Sequence, residues 1–151
     1  MRRLFISLLI LSGLAASGQT LSTYKSDISV EETTAAVEQI IKDKGLVYFE
    51  TVNHDAIAAE RGVTMTPVRE VLFEDADLTT SLIECQPTTA LDLPLKFLIW
   101  EEHGDVYLAF IDPQFMKKRF MLQDCEEIVD DMGKLLQRLA VDTMRAIRAK
   151  D

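Results

Sequence analysis

Apolar side chains recur along this chain at two spacings, every second residue and every third or fourth, and the two alternate in blocks. Residues 20–25 (TLSTYK) alternate loosely and predict an opening strand. Val30, Val37, Ile40, Ile41 and Lys44 then share one face at helical spacing. Ser29 with Glu32 three residues on forms a capping box at the start of that helix, and Gly45 supplies the left-handed turn at its end. Residues 46–52 (LVYFETV) are β-branched and aromatic and predict a strand. Asn53 or Asp55 caps a short helix over 56–61, closed by Gly62. A strand over 68–74 (VREVLFE) follows Pro67, and Asp75 or Asp77 caps another short helix that runs to Ile83 before Pro87 stops it. Residues 95–101 (LKFLIWE) and 106–111 (VYLAFI) predict a hairpin around His103-Gly104-Asp105, broken at Asp112-Pro113. The last element is a helix over about 126–150, with Ile128, Met132, Leu135, Leu136, Leu139 and Ala140 as its apolar stripe. Acidic residues crowd its start and Arg138, Arg145, Arg148 and Lys150 its end, as the helix dipole favours. The expected fold class is α+β: a single compact domain of about five mostly antiparallel strands, helices on one face, and a long C-terminal helix.

The first residues change how the rest is counted. Met1-Arg2-Arg3 is basic, residues 4–14 (LFISLLILSGL) are apolar, and Ala15, Ala16, Ser17 and Gly18 are small. That order is the pattern of a secretory signal peptide, with an apolar run shorter than the ~20 residues that span a bilayer. Cleavage after Gly18 leaves 133 of the 151 residues (19–151) as one domain, moves the net charge from −9 to −11, and leaves no stable membrane anchor. The expected location is exported, periplasmic or extracellular. So acidic a surface argues against nucleic acid as a partner, because phosphate binding needs a basic face. Export also opens two readings of Cys85 and Cys125, a structural disulfide or two buried thiols. Their spacing fits neither a CxxC redox pair nor a zinc knuckle.

Few residues suggest chemistry. His54 at a strand end beside Asp55 has the near-neutral pKa of a general base or metal ligand. Arg69 inside a strand could hold a carboxylate, or pair with a nearby acid. Asp92 precedes Pro94 and suits a turn cap, while Lys96 projects from the following strand on the face of Leu98 and Trp100, a candidate pocket wall. Tyr107 could donate a phenolic hydrogen bond. His103 lies in a turn, on the solvent side. GxSxG, HExxH, P-loop and GxGxxG motifs do not occur, so no catalytic residue, metal or cofactor is assigned.

The run from Ala90 to Glu101 (ALDLPLKFLIWE), with Tyr107 and Asp112-Pro113 after it, resembles the signature of the bacterial family called domain of unknown function 302. His54 and Gln86-Pro87 resemble further positions of that family, and the similarity runs over about residues 24–119, with the terminal helix as an addition. The resemblance implies a compact α+β fold able to dimerise and supplies no reaction. Where relatives carry Gly-Asn-Pro after the third strand, this chain has Glu74-Asp75-Ala76, whose carboxylates would repel an anion. The first functional expectation is a non-catalytic exported module that dimerises through a sheet edge or helix face and binds a small molecule or a protein near His54, Arg69, Asp92 and Lys96, with Tyr107 as a further candidate. The alternative is a small hydrolase or lyase with His54 as base and Arg69 or Lys96 holding an anionic group. That alternative requires these side chains to line one cleft. A weaker third reading is a metal handler built on His54, Asp55 and other acids.

Overall fold

In a computed structural model, residues 21–149 are described, and the leader expected over 1–18 lies outside them. Strand β1 is Leu21–Ser26, helix α1 Val30–Asp43, strand β2 Val47–Asn53, helix α2 His54–Glu60 and strand β3 Val68–Glu74. Helix α3 is Ala76–Cys85, followed by a 3-10 turn over Pro87–Asp92, and β4 (Leu95–Glu102) and β5 (Asp105–Ile111) form the hairpin. Helices α4 (Gln114–Arg119) and α5 (Glu126–Arg148) complete the order. The five strands form one fully antiparallel sheet in the order β1-β5-β4-β3-β2. The fold is α+β, as the alternation of periods predicts.

Local chemistry accounts for the boundaries. At the start of α1 the Ser29 hydroxyl accepts from Glu32 N (3.2 Å), and Ser29 N donates to the Glu32 carboxylate (3.2 Å). Gly45, just past the helix, has φ +71°, which L side chains avoid. His103 and Gly104, with φ +54° and +84°, make the two-residue turn whose twist suits a hairpin. At α3 the carboxylate of Asp75 accepts from Asp77 N and Leu78 N, both at 3.1 Å. The acidic loop that replaces the expected Gly-Asn-Pro is therefore a helix cap.

Period-two burial then gives the sheet two unlike faces. Val71 and Phe73, Leu95, Phe97 and Ile99, and Val106, Leu108 and Phe110 are buried with α1 and α5 residues in one core. Stacked Phe73 and Phe97 (5.3 Å between centroids) and edge-on Phe97 and Phe110 (5.8 Å) run across three neighbouring strands. The other face carries half-buried Lys96, Leu98 and Trp100, with Trp100 stacked on its register partner Tyr107 at 5.2 Å.

Three details differ from the sequence reading. Met132, Leu136, Leu139 and Ala140 of the expected α5 stripe are buried, but Val129 rather than Ile128 is the fully buried residue of its first turn, Leu135 is only partly buried, and Thr143, Met144 and Ile147 extend it. Pro87 opens a 3-10 turn as well as stopping α3. Helix α4 has too few residues to show a period; Met116 and, just past its end, Phe120 bury one side. They join Leu82, Leu122, Cys125, Val129 and Met132 in a second cluster, clamped by a disulfide between Cys85 and Cys125. Of the two readings left open for the cysteines, the structure has the bonded one.

Candidate functional site

The candidate polar residues fall into separate places. Asn53 pairs in register with Arg69, so His54 lies at that end of the sheet, where it is exposed. Arg69 shares the parity of Val71 and Phe73 and so points to the helix-covered side. Its side chain, 13% exposed, pairs with Asp55 of α2 and with Glu31 of α1 (3.1 Å). Asp55 also accepts from Val68 N at 3.3 Å. These bonds lock α1, α2 and β3 together and occupy the charge that an anionic substrate would need. Tyr107 donates to Asp105 at 3.4 Å, and Lys25 bridges to the same carboxylate at 2.8 Å. The Lys25 ammonium holds the Asp105 carboxyl below the usual range, and Asp105 in turn raises Lys25.

Lys96 is elsewhere. It is paired with Leu72, three residues along β3 from Arg69 and on the opposite face. His54 and Arg69 therefore do not converge with Lys96, and the single cleft that a hydrolase would require does not form around them. Arg69 is thus separated from Lys96 by the sheet, whereas Tyr107 shares the Lys96 face through its register partner Trp100 but lies outside the residues that line the cleft beside Lys96. Among the described residues no cluster of three or more His, Cys, Asp or Glu side chains could hold a metal ion, and Asp55 is already held by Arg69.

Asp92 and Lys96 do come together. They line a cleft of about 580 Å³ with Leu21, Leu91, Leu95, Ile111, Phe115 and Arg119, among others. Four of these are large apolar side chains left open to solvent: Leu91 (80% exposed), Ile111 (60%), Phe115 (55%) and Leu21 (43%). The cleft is built where β1 and β4 begin, β5 and the 3-10 turn end, and α4 packs beside them. Arg119 of α4 binds Asp92 at 3.0 Å and so ties two of its walls together. Asp112 on the rim accepts from Gln114 N at 2.9 Å. Lys96, half-buried, has no ion pair or hydrogen bond among the described residues. Sequence reasoning missed Arg119, Phe115 and Ile111. The signal for them is Phe115 beside a Lys-Lys-Arg run directly after Asp-Pro, legible only once the chain is known to fold back on the strand ends.

An antiparallel sheet with helices over one face and an apolar cleft at its rim defines a small α+β module. The chain belongs to the family described as Domain of unknown function DUF302, whose model matches residues 22–139. The match takes in α5 as far as Leu139, so most of that helix lies inside the family region that resemblance had placed at 24–119. The crystal structure of an uncharacterized conserved protein DUF302 from Bacillus stearothermophilus has the same fold. Its TM-score is 0.74 at 18% identity, covering 83% of this chain and 96% of that one. The chain is also 35% identical over 103 residues to fluoride-specific ion channel FluC 1 of Brucella suis, and equally so to FluC 1 of Brucella abortus. It spans about two fifths of those proteins, 41% and 38% of their lengths. Among the described residues here no helix is long and apolar enough to cross a membrane.

Proposed function

We propose that the chain is an exported, non-catalytic module that binds a small ligand in the cleft beside Lys96. The observation that carries this reading is the cleft's make-up: an unpaired, half-buried cation among four exposed apolar side chains. Exposed apolar surface gathered around a concavity is the usual form of a ligand site. Export is supported by the three-part leader and by the disulfide, since such bonds persist in oxidising compartments. Mass spectrometry of the secreted product is expected to find an N-terminus at Gln19; Met1 would contradict export with cleavage.

Ligand binding is tested by thermal shift against a panel of metal ions, sugars, carboxylates and fluoride. At least one compound is expected to raise Tm in the wild type and to lose its effect in Ile111→Asp. No shift across the panel would count against the module. A second reading is favoured by the likeness to the Brucella channels: a domain that accompanies membrane ion transport. Stabilisation by fluoride alone among the halides would support it.

A further inference from the structure

We infer that the occupant of this cleft is a single-chain amphipathic anion, a medium-chain carboxylate in its simplest form, with its head group on Lys96 and its tail along Leu21, Ile111 and Phe115. The inference rests on the ligand-binding reading of the cleft and narrows it to one chemical class.

Two mismatches in the bare cleft lead there. The Lys96 side chain, on a half-buried residue, has no counter-charge among the described residues, and an anion would supply one. The apolar walls are the second mismatch: Ile111 and Phe115 keep more than half their surface in water, and an inorganic anion would leave that unchanged. Only a ligand with one charged end and an apolar body answers both. The other charges at the rim are already engaged. Arg119 is neutralised by Asp92 at 3.0 Å, and Asp112 is turned onto Gln114 N at 2.9 Å. Lys96 is thus the one lining cation without a carboxylate partner among the described residues, while Asp112, bonded only to a neutral amide, keeps its negative charge at the rim and favours a head group seated on the Lys96 side. A neighbouring cleft of about 460 Å³ has Tyr24 and Phe110 as its large apolar members, neither of them exposed, beside the polar Ser22, Asp112, Gln114, Asp130, Lys134 and Gln137, and so lacks such exposed apolar walls.

Titration calorimetry of the full chain with decanoate, decan-1-ol and acetate tests the class. Decanoate is expected to bind at least tenfold more tightly than decan-1-ol, and acetate not measurably. Lys96→Ala is expected to weaken decanoate about tenfold and leave decan-1-ol unchanged. Phe115→Ser is expected to weaken both, with circular dichroism confirming that each variant folds. Equal affinities for acid and alcohol, indifferent to Lys96→Ala, would overturn the anionic class and leave a purely apolar site. If neither binds while another compound of the thermal panel does, the amphiphile is wrong and the cleft stands. If nothing binds at all, both fall.

Discussion

Phe97 has no exposed surface and touches rings on both neighbouring strands, so its removal opens a cavity that cannot readily collapse. Phe97→Ala is expected to cost about 3–5 kcal/mol in urea unfolding. Two ion pairs should behave unlike each other. Arg69 is 13% exposed and satisfies two carboxylates, so Arg69→Ala strands Asp55 partly buried. Lys25 and Asp105 are largely in solvent, where such a pair is worth about 0–1 kcal/mol. The same urea measurement should therefore rank Arg69→Ala well above Lys25→Ala. At this scale the sequence was partly legible. Strand alternation correctly put Lys96 on the face opposite Leu95 and Phe97, because that period is a local signal. The partners of Arg69 and Asp92 were not legible. Glu31 and Arg119 stand 38 and 27 residues away, and many acids and bases competed for each role.

Elements were readable where a period had room to repeat. α1 has 14 residues, a capping box and a glycine stop, and all three are present in the fold. Ser29→Ala is expected to destabilise by about 1 kcal/mol through loss of the cap. In α5 the first position of the stripe was misplaced, since Ile128 and Val129 are both apolar and only packing against α3 and α4 decides between them. α4, with 6 residues, gave no period. Around α5 the carboxyls are tuned by hydrogen-bond donors: the Lys117 ammonium, then the Gln114 amide, hold Asp130 below its ordinary 3.8, and the Lys44 ammonium does the same to Asp142. A lowered folded-state pKa adds stability above the unfolded value, and that contribution is lost as pH falls through the folded one. Tm should therefore be flat from neutrality down to about that ordinary value and decline below it. In Asp130→Asn and Asp142→Asn together the acid slope should be shallower; an unchanged slope would show that these pairs contribute nothing.

For the whole molecule, the disulfide and the cleft matter most. Cys85 and Cys125 enclose a 40-residue separation that contains β4, β5 and α4, the elements that wall the cleft. Cross-linking a loop of this length contributes about 2–4 kcal/mol. Cys85 is exposed, so dithiothreitol should reach the bond and lower Tm without a mutation. The hydropathy pattern was sufficient for the fold class, whereas the cleft arises only where β1, β4, β5, α4 and the 3-10 turn meet. The most direct test of where this module binds is an amide-resolved nuclear magnetic resonance titration with decanoate and decan-1-ol. Shifts should concentrate in residues 91–96 and 111–119 and leave 53–55 and 69 in place. Shifts centred on His54 and Arg69, or scattered with no focus, would contradict the assignment of the cleft as the site.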